Sequence, residues 1–312
     1  MNLEVSESIM MNLQNRIQGC LLGLAVGDAV GTTLEFQPRD SYAPLTDMIG
    51  GGPFSLNAGE WTDDTSMALC IADSLLECSG FNAVDQMQRY VRWYNEGYRS
   101  SNGKCFDVGM TVSSALRQYE STGEAMCGDT DPMSAGNGCI MRLAPIPMYF
   151  HHDLELAIHT SGESSRTTHG AEECVAACQL FGAMLWKAIN GRSKFDILTG
   201  AHLPKTMQIE LPVKVQAIAD GSYFQKTRDE VRGSGYVVEE LEAALWCFAQ
   251  TENYRDAVLL AANLGDDADT TAAICGQVAG AYYGRDGMPV AWLNRVTASA
   301  ELHELSLRLL AH

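Results

Sequence analysis

The ten cysteines of this chain form no CxxC pair, and its N-terminus carries no basic run. It contains no low-complexity stretch, and its longest β-like run is only Val237-Val238. Each absence excludes something. Without paired cysteines there is no zinc-ribbon or dithiol redox motif. The thiols at 20, 70, 78, 105, 127, 139, 174, 178, 247 and 275 read as small core residues of a protein in a reducing cytosol. The first residues, MNLEVSESIMMNLQNR, include acids and lack the basic start of a secretory signal. Basic residues are also scarce. Twenty-one Lys and Arg face 39 Asp and Glu, a net charge of −18. Such a surface repels phosphate backbones and anionic membranes, so general binding to either is not expected. One apolar run, Ile17 to Phe36, approaches the length of a membrane span, but Asp28 and several glycines interrupt it.

What is present is helical periodicity. Helices are expected near 12–31, 64–79, 84–98, 107–120, 136–146, 153–160, 170–189, 236–250, 254–264, 267–283 and 299–311. Turn signals separate them at Gly50-Gly51-Gly52-Pro53, Ser101-Asn102-Gly103 and Gly128-Asp129-Thr130-Asp131-Pro132. The expected fold is all-α: one compact helical bundle over 12–312, preceded by a tail at 1–11. Glycines recur every fourth residue at 19, 23, 27 and 31, and again at 276, 280 and 284. That spacing flattens one edge of a helix and lets a second helix approach closely. Since glycine costs about 1 kcal/mol of helix propensity per site, close packing has to offset it.

Two acidic clusters stand about two hundred residues apart: Trp61-Thr62-Asp63-Asp64-Thr65 and Asp266-Asp267-Ala268-Asp269-Thr270-Thr271. Each lies where a loop gives way to an apolar helix. Capping explains part of the pattern, because Thr62 and Asp63 stand where N-caps belong. It does not call for three aspartates at one helix start. Crowded carboxylates repel unless a cation lies between them, and ligands made only of oxygen suit Mg²⁺ or Mn²⁺ rather than zinc. Brought together, the clusters would form a binuclear metal site at helix N-termini.

The sequence resembles the ADP-ribosylglycohydrolases, including the dinitrogenase-reductase-activating type. The pieces that carry the likeness run in family order: Gly23-Leu24-Ala25-Val26-Gly27-Asp28-Ala29 with Glu35-Phe36, then Trp61 to Thr65. Ser134-Ala135-Gly136-Asn137-Gly138 with Met141-Arg142 follows, then Thr168-His169, and last Gly265 to Thr271 before Gly276 and Gly280. The resemblance implies a compact all-α fold around two divalent cations, Mg²⁺ or Mn²⁺. It implies Thr62, Asp63 and Asp64 as one set of metal ligands and Asp267, Asp269 and Thr270 as the other, with Asp266 a bystander. Glu35 matches a mobile acidic residue near the scissile bond, and with Asp63 and Asp269 it makes up the expected catalytic set. Asp107 matches an acid near the ribose, and a helix N-cap is its alternative.

Residues Ser134, Ala135, Gly136, Asn137 and Gly138 match a loop on the ADP-ribose, where bare N–H groups would suit a pyrophosphate. His169 matches a residue near that ligand. Gly235 and Tyr236 could add N–H donors and an aromatic face. Arg142 fits either a phosphate or an internal carboxylate. The implied activity is hydrolysis of the C1″ bond between ADP-ribose and an acceptor, foremost a protein arginine. An O-linked conjugate such as ADP-ribosylserine or O-acetyl-ADP-ribose is the alternative acceptor. A non-catalytic ADP-ribose-binding descendant and a metal-dependent phosphohydrolase are the alternative functions. A cytoplasmic monomer acting on an ADP-ribosylated protein or a small ADP-ribose conjugate is expected.

Overall fold

The computed structural model describes residues 3–199 and 203–312. Fourteen α-helices occur among them: α1 Leu3–Gly31, α2 Asp63–Cys78, α3 Ala83–Glu96, α4 Met110–Thr122, α5 Pro145–Tyr149, α6 Leu154–Arg166, α7 Glu172–Ile189, α8 Lys194–Leu198, α9 Val213–Ala219, α10 Val237–Ala249, α11 Tyr254–Ala262, α12 Ala268–Tyr283, α13 Val290–Arg295 and α14 Ser299–Leu310. Among the described residues there is no strand, only three isolated bridges, one of which pairs Gly136 with Tyr236. One buried apolar cluster runs from Ile17 to Leu309 through nearly every helix.

Local chemistry sets most helix ends. Asn82, Asp153 and Asn253 each accept a backbone N–H in the first turn of α3, α6 and α11. Helices α2, α3 and α4 end on the left-handed residues Ser79, Gly97 and Gly123. Helix α1 begins at Leu3, nine residues before the expected start; of the expected tail, residues 1 and 2 lie outside the described residues. The helix expected at 136–146 does not form. Gly136 and Gly138 lie in a turn-rich loop there, and the chain becomes helical only at Pro145, a residue suited to a first helical turn. Short α8, α9 and α13 carry too few turns for periodicity to reveal them.

Helices α1 and α12 are the central pair. A Cβ built on Gly19 would meet Gly280 O, on Gly23 Gly276 O, on Gly27 Ala272 O and on Gly31 Ala268 O, each within 2.3 Å. As one number rises the other falls, so the pair is antiparallel with backbone against backbone. Their side chains are then buried by the helices packed around them, which explains the apolar run in α1. The stretch Met10–Leu34 is long and apolar enough to cross a membrane, but its most apolar 18-residue window is 94% buried inside the fold.

The seam makes a prediction of unusual sign. Gly-to-Ala changes in compatible positions stabilise by about 0.4–1 kcal/mol. At Gly23 the added methyl collides with the Gly276 carbonyl, so Gly23→Ala destabilises by about 1–3 kcal/mol, read in urea unfolding. The seam also places the site. It sets the C-terminal end of α1 against the N-terminus of α12, so the chain leaving α1 passes directly over the second acidic cluster.

Candidate active site

The N-cap residues of the two acidic helix starts make no cap bond of their own. Thr62 precedes α2 with no side-chain cap bond, and Asp267 precedes α12 with none. Carboxylates from the end of α1 and just beyond it take that role. Asp28 is fully buried and accepts Thr62 N–H (2.9 Å), Thr62 Oγ1–H (2.9 Å), Thr65 N–H (3.1 Å) and Thr65 Oγ1–H (2.6 Å). Glu35 accepts Ala268 N–H (2.8 Å) and Asp269 N–H (3.3 Å) at the start of α12. Asp28 and Glu35 thus satisfy orphan donors of both helices from a distance, and of the local aspartates Asp269 takes one more through Oδ1, from Thr270 N–H (2.7 Å).

A cleft of about 570 Å³ lies over these helix ends. Glu35, Asp63, Asp107, Asp267, Asp269 and Thr270 line its acidic part, and Gly136, Asn137, Gly138, His169 and Gly235 line its other walls. Thr62 and Asp64 are fully buried behind the lining. Asp266 is exposed and joins the site through its backbone, exchanging hydrogen bonds with Phe36 N–H and Gln37 O. Asp107 is not the cap of α4, where Gly109 holds that position; it stands in the left-handed region at φ 59°. Two residues of this kind, Phe36 and Asp107, line the cleft, and a third, Asp266, is bonded to Phe36 beside it. Such strain persists where function fixes it.

The electrostatics of the cleft disfavour charge on its own carboxylates. Burial pushes Asp63, Asp64 and Asp269 well above the usual carboxylate range, and other carboxylates add to each shift. Burial raises Glu35 as well, followed by Asp269 and Asp267. Burial also lifts Asp107 and Asp28, each to about 7. Oxygens of Glu35, Asp267 and Asp269 lie within 4.8 Å of one another. Asp64 Oδ1 and Asp269 Oδ2 are buried with no hydrogen-bond partner. A native fold does not leave buried carboxylate oxygens orphaned without reason, and an oxygen-only set of this density fits hard divalent cations.

The loop from Ser134 to Gly138 differs from the expectation. The N–H of Gly136 donates to Ser134 O and that of Asn137 to Gly235 O, so these two donors serve the fold instead of standing bare. The Asn137 side chain donates to Asp267 Oδ2 (2.8 Å) and so orients a candidate ligand. Gly138 makes room for a side chain: its Cβ would come within 2.9 Å of the His169 ring. Ser134, Ala135 and Tyr236 line a second cavity of about 560 Å³, which shares Thr111, Gly136 and Gly235 with the first.

His169 is held by a relay. Arg142, fully buried over the Tyr90 ring, donates to Thr168 Oγ1, which lies 2.8 Å from His169 Nδ1. Thr168 thus fixes the Nδ1 edge of the ring, and Nε2 lies on the side of Gly136 and Gly138. Burial pushes His169 down to about 4, so the ring is neutral. Arg142 therefore touches neither phosphate nor carboxylate. Glu240 of α10 escaped the sequence reading. It is fully buried, accepts Gly235 N–H (3.2 Å) and Thr271 Oγ1–H, and ties the 233–236 loop to α12. In the sequence it looks like an ordinary acid in a first helical turn. Asp28 was visible in its motif, but its four bonds were not.

Comparison with known proteins agrees with this architecture. The family model described as ADP-ribosylglycohydrolase matches residues 10–312. An ADP-ribosylarginine hydrolase of Serratia proteamaculans is 46% identical over 95% of this chain and 79% of its own length. The ADP-ribosyl-[dinitrogen reductase] glycohydrolase of Rhodospirillum rubrum is 30% identical over 93% of each chain. A solved ADP-ribosylglycohydrolase-related protein superposes with a TM-score of 0.85 at 38% identity, covering 96% of this chain and 99% of that one. This chain belongs to the ADP-ribosylglycohydrolase family and is an enzyme of that class.

Proposed function

We propose that this enzyme removes ADP-ribose from arginine side chains of proteins by hydrolysing the C1″ glycosidic bond, with two divalent cations, Mg²⁺ or Mn²⁺, in the acidic cleft. The observation that carries the reading is the convergence of Glu35, Asp63, Asp107, Asp267 and Asp269 on one cleft, with carboxylate oxygens left unpartnered behind and within it. Asp63, Asp267, Asp269 and Thr270 are placed to hold the cations from the cleft side, with Thr62 and Asp64 beneath. Cations bound there would lower the pKa of a coordinated water and fix the ribose hydroxyls.

The chain's own residues do the rest. Asn137 orients Asp267. Burial holds Glu35 toward its protonated form, so it can give a proton as the bond to the acceptor breaks. The charge that develops on the sugar is oxocarbenium-like, as in other glycoside hydrolyses, and the surrounding carboxylates favour it. His169 Nε2 and the 233–236 loop stand at the wall leading to the second cavity, where a diphosphate arm would pass. The arginine acceptor follows from the relatives: proteins 46% and 48% identical are named ADP-ribosylarginine hydrolases. All ten cysteines are free, which suits a cytoplasmic enzyme, and we take it to act as a monomer.

The test is a linkage panel. ADP-ribosylarginine, ADP-ribosylserine and O-acetyl-ADP-ribose are each incubated with Mg²⁺, with Mn²⁺ or with a chelator, and the products are separated. The expected result is ADP-ribose released from the arginine conjugate only when metal is present. Equal turnover under chelation, release of phosphate, or preference for an O-linked conjugate would each defeat a stated part of the proposal.

A further inference from the structure

We infer that Phe36 forms the seat for the acceptor's guanidinium group and so selects arginine over neutral acceptors; the inference rests on the function proposed above. Phe36 follows Glu35 directly, lines the acidic cleft and is 64% exposed. Its backbone lies at φ 61°, a left-handed conformation that is a true outlier for a bulky aromatic residue. Neighbouring segments hold it there: Phe36 N–H donates to Asp266 O (2.8 Å), and Asp266 N–H donates to Gln37 O (2.8 Å). An exposed aromatic ring on strained backbone contributes little to folding, so its position calls for a functional reason.

The ring is also supported from the side. Phe54 packs edge-on against Phe36 with centroids 6.3 Å apart, and Phe106 packs against Phe54 at 5.2 Å. Phe106 immediately precedes Asp107, which lines the same cleft. The mouth thus pairs an aromatic platform with a carboxylate. A planar cation can use both, lying on the ring face while its N–H groups meet the acid.

The path of the substrate leaves this mouth for the acceptor. The main cleft and the second cavity share Thr111, Gly136 and Gly235, whereas Glu35, Phe36, Asp63 and Asp107 line only the main cleft. With the ribose over the acidic floor and the diphosphate arm crossing the shared wall, the group on the other side of the scissile bond lies toward Phe36 and Asp107.

The test compares arginine with citrulline, its neutral isostere, as ligands of the metal-loaded protein with and without ADP-ribose, by NMR titration. Parent protein, Phe36→Leu and Phe36→Tyr are measured. Leucine keeps an apolar side chain on the same strained backbone and removes only the ring. The parent is expected to prefer arginine, Phe36→Leu to lose about tenfold of that preference and Phe36→Tyr to keep it. The ratio of kcat/KM for ADP-ribosylarginine to that for O-acetyl-ADP-ribose falls in parallel. A parent that does not distinguish arginine from citrulline overturns the seat, as does a folded Phe36→Leu protein with an unchanged ratio. A parent that prefers arginine yet does not cleave ADP-ribosylarginine leaves the seat standing and removes the proposed function.

Discussion

Asp269→Asn lowers turnover at least about a hundredfold and, in the same protein, raises the melting temperature of the metal-free form. The two effects have one cause. Asp269 is buried, and burial together with Asp107 and Asp267 penalises its charge. Its Oδ2 has no hydrogen-bond partner to offset that penalty. Asparagine keeps the shape and removes the charge, so the metal-free fold gains about 1–2 kcal/mol, which is a rise of about 2–4 °C. The loss of turnover has the magnitude seen when one charge-stabilising group is removed from an active site. Thermal scans with chelator and with Mn²⁺ read both signs. If the variant is less stable than the parent without metal, the cluster is not frustrated and the case for a cation there fails.

The same frustration sets a pH dependence. Asp28 and Asp107 sit at about 7 in the folded chain, and a carboxylate in the unfolded chain titrates near 3.9. Between those values the folded state holds the extra protons. Its stability is therefore complete below pH of about 4 and falls as the pH rises through about 7. Metal-free protein should melt lower at pH 8 than at pH 6, and saturating Mn²⁺ should flatten the difference.

Asp28→Ala behaves in the opposite way. Asp28 is buried and raised like Asp269, but it accepts four hydrogen bonds from Thr62 and Thr65. Removing it leaves two buried N–H groups without partners and frees the N-terminus of α2, which carries Thr62 and Asp64. The expected loss is about 3 kcal/mol of stability, with metal affinity falling about 10–100-fold although Asp28 lies behind the proposed ligands. Urea unfolding under chelation and Mn²⁺ titration at low temperature measure the two losses separately. Parent-like values in both would show that α2 holds its N-terminus without Asp28. Two aspartates in one cluster thus have opposite effects on stability, and their hydrogen-bond counts decide the sign.

Much of this was determined by sequence alone. Helical periodicity over long segments fixed the fold class, because α2 and α10 carry enough turns for an apolar stripe to show. Glycines at fourth-residue spacing fixed the close seam, since no other residue permits backbone to lie on backbone. The acidic clusters and the motifs around them fixed the family.

Tertiary structure decided the remainder. Capping could not be read from Thr62 or Asp267, because the groups that cap α2 and α12 come from Asp28 and Glu35, 34 and 233 residues away. Glu240 could not be told from a solvated helix acid until its burial was known. The Gly136 and Asn137 N–H groups looked free in sequence, yet pairing with Ser134 and Gly235 uses them. The Phe36 ring gained meaning only from its left-handed backbone and from Phe54 and Phe106 beside it. In each case the deciding quantity is a long-range hydrogen bond or a burial, and those arise only when antiparallel packing of α1 on α12 brings distant segments to one cleft.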